Sequence, residues 1–291
     1  MSEIFNFENK TFENKTHSKD ELAAIALEIR RDIIKMLAMA KSGHSGGSLD
    51  LADFIATLFF NGIMKHDPKN PLMADRDRFV LSAGHLVPVL YSALARAGYF
   101  PTEELATLRK YGSRLQGHPG LDTHLPGIET SSGSLGQGIS IAVGMAMSDK
   151  LIDKNSRNVY CLTGDGELQE GTVWEAAMCA GNYKLSNLCW IVDNNDCQID
   201  GRVKDVMSIY PLLDKFKAFG FECIEIDGHD FDQINNALLQ FKKNATTIDK
   251  PTVIIMKTIM GQGVSYMEDQ YTWHGNPPNF EQANQALQEL K

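Results

Sequence analysis

Four short apolar runs in the second half of the chain constrain its fold most. They are Val159–Thr163, Leu188–Val192, Cys223–Ile226 and Thr252–Met256. Between them lie segments of helical character: Gly171–Tyr183, Pro211–Phe219 and Phe231–Lys242. Strand–helix alternation of this kind implies a parallel sheet covered by helices on both faces. The first half adds a helix from Ser18 to Ala40, with Leu22, Ile25, Ile29, Ile33 and Leu37 at helical spacing and a capping box at Ser18 and Glu21. It also adds a helix over Leu51–Phe60, a short strand over Phe79–Ser82 and a helix through Leu90 and Leu94. With no linker and no break in composition, residues 18–291 read as one α/β domain. The stretch Ser113–Gly138, rich in Gly, Pro and Ser, is too long for a simple connector and reads as a functional loop. Residues 1–17, with FENKT twice, read as a flexible or partner-draped lead-in.

Composition narrows the class of function. The net charge is -9, and no more than two basic residues stand together, so nothing resembles a nucleic-acid face. The five cysteines include no CxxC pair and read as reduced, mostly buried thiols. No apolar stretch is long enough to span a bilayer, and the amino terminus has no signal-peptide core, so a cytoplasmic location and no membrane contact are expected.

In a parallel sheet, ligands bind beyond the carboxyl ends of the strands. Four segments qualify: Gly164–Glu167, Asp193–Cys197, Asp227–Asp230 and Thr258–Gly263. The first two carry Gly-Asp-Gly and Asp-Asn-Asn. A carboxylate from Asp165, a carboxamide oxygen from Asn195 and the backbone carbonyl of Cys197 would suit a hard divalent cation, Mg²⁺, Ca²⁺ or Mn²⁺. Glycines flanking Asp165 would let a diphosphate approach the backbone, and the helix starting near Glu170–Gly171 could direct its amino end at the anion.

Gly-Asp-Gly after one strand and Asn-Asn after the next resemble the thiamine-diphosphate fingerprint. Further motifs narrow the resemblance to transketolases. Gly43-His44-Ser45-Gly46-Gly47, the Asp75–His85 segment, Gly117-His118-Pro119 and Trp273-His274-Gly275 are similar to that family's histidine motifs. Gly133–Gly138 resembles its cofactor loop and Gly164–Gly171 its metal loop, and the likeness runs from about Ser18 to Pro278. The resemblance implies thiamine diphosphate as cofactor, with the metal on Asp165, Asn195 and Cys197. It implies cofactor contacts from His85, Gly133, Ser134, Leu135, Gly166, Glu167 and His274, with Ile199 against the thiazolium ring. It places His44, His118 and His274 on the sugar hydroxyls and Glu170 in a carboxylate relay where two subunits meet. Met260 stands where some members carry a lysine near the diphosphate. His17, His66, His124 and His229 fall outside the motifs and read as structural, although His229 follows a strand.

The family's catalytic glutamate and its main sugar-phosphate arginines belong to a second, pyrimidine-binding domain. No second run of strand–helix alternation is present here. The chain is therefore expected to be the amino-terminal subunit of a split transketolase. It would act on sugar phosphates only with a carboxy-terminal subunit, as an α2β2 assembly. The competing readings are a subunit of another thiamine-diphosphate enzyme, of the deoxyxylulose-phosphate synthase or 2-oxoacid dehydrogenase kind, and a non-catalytic cofactor-binding scaffold.

Overall fold

The computed structural model describes residues 5–291. Its strands are β1 (Arg78–Leu81), β2 (Val159–Gly164), β3 (Leu188–Asn194), β4 (Cys197–Gln198), β5 (Gly201–Arg202), β6 (Glu222–Asp227) and β7 (Thr252–Lys257). Five of them form one parallel sheet in the order β1-β2-β3-β7-β6, while β4 and β5 make a small antiparallel hairpin. The helices are α1 (Lys19–Ala40), α2 (Gly46–Asp50), α3 (Ala52–Phe60), α4 (Val87–Ala97), α5 (Gln137–Met147), α6 (Gly171–Asn182), α7 (Val203–Val206), α8 (Leu212–Ala218), α9 (Phe231–Thr247) and α10 (Phe280–Glu289).

Successive strand residues point to opposite faces and feed two separate cores. Tyr160, Leu162, Cys189, Ile191 and Ile254 pack with Ile33, Phe59, Leu94 and Phe241, from α1, α3, α4 and α9. Val159, Cys161, Trp190, Val192 and Ile255 pack with Ile139, Val173 and Phe216, from α5, α6 and α8. Burial on both sides is why the central strands read as unbroken apolar runs. The chain leaves β3 for the sheet edge at β6 and returns through α9 to β7. Right-handed connection then puts α9 on the face opposite α5 and α6. The direction of strand order reverses between β3 and β7, beside the carboxyl ends of β2 and β3, and ligands of such sheets bind near a reversal of this kind.

The capping box forms as the sequence predicts: Ser18 Oγ accepts from Glu21 N at 3.3 Å, and Glu21 Oε2 accepts from Ser18 N at 2.7 Å. α5 carries no clear signal in the sequence. Gly138, Ser140 and Gly144 blur its apolar face, although Ile139, Ala142, Val143 and Ala146 are buried. Gly138 is required by close packing, since a Cβ there would lie 2.6 Å from Ser82 Cα.

Residues 5–17 correct the expectation of a loose lead-in; residues 1–4 lie outside the described residues. Phe5 and Phe7 are buried in the core. Arg96, paired with Asp32, donates to the carbonyls of Glu8 and Lys10, each at 3.0 Å, and its own carbonyl accepts from Phe12 N at 2.8 Å. The two FENKT copies differ in use: Asn14 bonds Gly62 N and Met64 O, whereas Asn9 faces solvent. All five cysteines are free thiols, and among the described residues no helix is long and apolar enough to cross a membrane.

Candidate active site

A cleft of about 220 Å³ opens at the carboxyl ends of β2 and β3. Its walls hold Asp165, Gly166, Glu167 and Glu170 from one loop and Asn195, Cys197 and Ile199 from the next. His85, Leu135 and His274 come from distant segments of the chain. Backbone pairing fixes the two strand ends relative to each other: Asp165 N donates to Asp193 O at 2.9 Å.

Asp165 is 2% exposed. Its Oδ1 accepts from Gly166 N at 2.7 Å, and its Oδ2 accepts from Asp196 N at 2.6 Å and Asn194 Nδ2 at 3.0 Å. Burial nevertheless pushes its carboxyl up to about 7. Asn195 is held by two further buried carboxylates. Its Nδ2 donates to Asp50 Oδ2 and Asp193 Oδ2, both at 3.0 Å, and its Oδ1 accepts from Cys197 N at 2.9 Å. With its Nδ2 turned to the two carboxyl groups, the carboxamide oxygen faces the other way. Burial, and then the charge of Asp165, raises Asp193 to about 8; burial and then Asp193 raise Asp50 well above the carboxylate range. Arg30, the arginine that acts on Asp50, is itself committed to Asp53 by two bonds of 2.8 and 2.6 Å. Asp50 Oδ1 is buried without a hydrogen-bond partner. An under-compensated acidic site of this kind is prepared for a divalent cation, which would restore the ordinary carboxylate state. Among the described residues no group of three or more His, Cys, Asp or Glu forms a metal cage. One carboxylate, one carboxamide and one backbone carbonyl could instead serve a cation of the kind that keeps phosphate and water ligands.

The 3₁₀ segment Gly166–Gln169 lies between Asp165 and the start of α6. Glu170 is the N-cap of α6 and is exposed at the cleft rim. Met260 is fully buried and presses on α2: a Cβ at Gly46 would come within 2.6 Å of its Cγ.

Above the acidic floor the motif histidines gather. The ring of His44 lies 4.9 Å from that of His85 and 5.8 Å from that of His274, and His85 and His274 are 5.2 Å apart. His118 is exposed and packs beside Gly133, where a Cβ would come within 2.9 Å of the imidazole ring. Burial is the first cause that lowers all four. Neighbouring histidines and Arg109 add to it for His44, which falls to about 4; His85 also feels its neighbours, and His118 feels Arg109. Each ring is thus neutral near pH 7 and can donate at one nitrogen while accepting at the other. Nδ1 of His44 and Nδ1 of His274 are buried with no partner in the protein, as atoms that await a ligand are. His44, His118, Gly133 and the exposed Ser134 flank the cleft rather than form its walls. Ile199, 63% exposed, stands in the wall as an uncovered apolar side chain.

His229 is structural. Its ring accepts at Nε2 from Ile259 N at 2.9 Å, which leaves Nδ1–H to donate to Asp53 Oδ2 at 2.9 Å. Sequence reasoning does not reach Asp50 or Arg109, and it gives Asp193 no role beyond its place at a strand end. Asp50 does leave a trace, as a carboxylate beside the apolar run Leu51–Phe60. Arg109 leaves none: it bonds Ser42 Oγ at 3.0 Å and Gly117 O at 3.3 Å, and so ties together the loops that carry His44 and His118.

Comparison with known proteins places this geometry in context. A family model described as the thiamine diphosphate binding domain of transketolase matches residues 22–290. An apulose-4-phosphate transketolase subunit of Phocaeicola vulgatus is 41% identical over 261 residues, covering 90% of each chain. The 6-deoxy-6-sulfo-D-fructose transketolase subunit SqwG of Clostridium sp. is 41% identical, covering 90% of this chain and 94% of its own. The crystal structure of transketolase from Campylobacter jejuni superposes with a TM-score of 0.87 at 37% identity. That match covers 94% of this chain but 43% of the other, so the chain spans about two fifths of that single-chain enzyme.

Proposed function

This chain belongs to the transketolase family, and we propose that it is the amino-terminal subunit of a two-chain transketolase. Paired with a carboxy-terminal subunit, it would transfer a two-carbon ketol unit from a ketose phosphate to an aldose acceptor. One observation carries this reading. Four histidines from four separate segments stand around a cleft whose floor is the Asp165–Asn195 pair. The division into two chains is supported by coverage: the chain matches 90% or more of the two transketolase subunits and 43% of the single-chain enzyme.

Thiamine diphosphate, when bound, supplies the carbanion chemistry of the transfer. The Asp165 carboxylate, the Asn195 carboxamide oxygen and the Cys197 carbonyl would hold the divalent cation that offsets the charge of the diphosphate. Leu135 and Ile199 offer apolar surface, and His85 and His274 offer hydrogen bonds from the wall. His44, His118 and His274 bind and orient the hydroxyls of the ketose; being neutral, they can take or return a proton at a ring nitrogen near pH 7. Glu170 presents a carboxylate at the rim, toward the chain that completes the site. The relatives are named for a sugar phosphate and a sulfo-sugar. An anionic group remote from the carbonyl is common to both, and its recognition is assigned to the partner chain.

The test is reconstitution. The chain with its carboxy-terminal partner, thiamine diphosphate and Mg²⁺ should transfer ketol units from a panel of ketose phosphates, and Asp165→Ala should abolish transfer. The chain alone should be inactive. Turnover without a partner, or cofactor binding that survives Asp165→Ala, would overturn the reading.

A further inference from the structure

We propose that Glu167 is a positioning residue whose buried carboxylate latches the loop at residues 133–138 to the turn that bears Asp165. The inference rests on the reading of the cleft as a thiamine-diphosphate site and adds how its two halves are held in register.

Glu167 borders the cleft, yet its carboxylate is used up elsewhere. Oε1 accepts from Ser82 Oγ at 2.5 Å and from Gly136 N at 2.7 Å, and Oε2 accepts from Gly164 N at 3.2 Å. The residue is 2% exposed. Ser82 Oγ, while donating to Glu167, accepts from Ile139 N at 3.1 Å in the first turn of α5. One side chain thus joins the end of β1, the 133–138 loop and the end of β2.

The bonds fall on peptide groups that matter to the site. Gly136 N belongs to the peptide that follows Leu135, a residue of the cleft wall, and Gly164 N to the peptide one residue before Asp165. Gly136 presents its N–H from φ +80, a conformation suited to glycine. A Cβ there would also lie 2.7 Å from Thr172 Cγ2.

A carboxylate buried without a cation is costly unless several donors solvate it together. Each donor here comes from a different segment, so releasing one segment leaves the others facing an under-solvated charge. The latch should therefore close as a unit. Direct ligation of metal or cofactor by Glu167 would require breaking it.

The test compares wild type with Glu167→Gln in the full chain. Glutamine keeps the volume but accepts at one oxygen only, and its NH₂ would oppose an N–H donor. Two quantities are read: hydrogen exchange of the 133–139 segment in the free chain, and the affinity of thiamine diphosphate with Mg²⁺ in the chain paired with its partner. We expect faster exchange confined to 133–139 and the neighbourhood of Gly164, with affinity weakened about tenfold or more. Should Glu167→Gln fail to fold, Ser82→Ala removes one arm of the latch and should produce the same exchange pattern with a smaller loss of affinity. Unchanged exchange at 133–139 in the folded variant would overturn the latch, as would faster exchange with unaltered affinity. A wild-type pair that binds no thiamine diphosphate would overturn the reading of the cleft instead, and the exchange result would still decide the latch.

Discussion

Asn195 Nδ2 lies 3.0 Å from Asp50 Oδ2, a contact that joins residues 145 positions apart in sequence. Asp50 belongs to α2, two residues before α3 begins, and Asn195 follows β3. The bond ties the helical half of the domain to the turn proposed to hold the metal, because it helps set which way the Asn195 carboxamide faces.

Replacing Asp50 should therefore impair a cleft whose wall it does not form. Asp50→Ala leaves one Asn195 N–H without its acceptor and frees the carboxamide to turn. We expect the Mg²⁺ concentration needed for thiamine diphosphate binding to rise about 10- to 100-fold, the usual effect of removing a group that orients a metal ligand. Titration of Mg²⁺ at fixed cofactor, followed by protein fluorescence or circular dichroism, measures it. An unchanged Mg²⁺ requirement would show that the orientation of Asn195 is set by other contacts.

The pH dependence of stability should carry the signature of His44. Its pKa in the folded chain is about 4 against an ordinary 6.5, through burial and then His274, Arg109 and His118, with the His85 ring also against it. The unfolded chain takes up this proton as pH falls below 6.5, while the folded chain resists until about 4. The stabilising contribution is complete above pH 6.5 and is lost progressively as pH falls through that window. His44→Asn, which cannot be protonated there, should flatten the fall in melting temperature between those limits. The difference between the two pH profiles isolates His44 from the other depressed histidines.

Gly84→Ala should separate binding from folding less cleanly, and in a diagnostic way. Its Cβ would lie 2.7 Å from Gly133 N and 2.9 Å from Gly133 Cα, so backbone must give way. The displaced element is the loop carrying Gly133 and Leu135. We expect unfolding free energy to fall by about 1–3 kcal/mol, as for other overpacked sites. Cofactor binding should weaken about tenfold or more, the size of effect seen when an orienting group is removed. Urea denaturation and cofactor titration of the same preparation check both.

The ion pair Asp32–Arg96 governs stability and the amino-terminal strap together. Both side chains are fully buried and meet through two bonds of 2.7 Å. Asp32→Ala strands a buried guanidinium and should destabilise the chain by about 3–5 kcal/mol. Arg96 also holds the carbonyls of Glu8 and Lys10, so residues 5–17 should become open to limited proteolysis before the rest of the domain. Resistance of that segment in the variant would show that Phe5 and Phe7 alone anchor it.

The strand runs, the capping box at Ser18 and the motif segments are legible in the sequence because each is a local pattern. Alternating strands and helices specify a parallel sheet, and the rule for strand ends then directs attention to Asp165 and Asn195 with no coordinates at all. α5 is not legible, since Gly138 and Ser140 serve contacts with Ser82 and Thr172 that interrupt the helical stripe, and Gly144 interrupts it again. The strap escapes a sequence reading because its anchors, Arg96, Lys35 and Gly62, lie far along the chain. The same holds within the site. Sequence alone offered side chains with the donor chemistry for a cation, and the resemblance of its motifs pointed to the histidines expected at a sugar. Tertiary structure alone decided that Asp50 and Asp193 orient Asn195, that Glu167 is spent on Ser82 and backbone N–H groups rather than on the cleft, and that four histidines are held neutral. Those outcomes depend on burial and on bonds between remote segments, and neither quantity exists until the chain has folded.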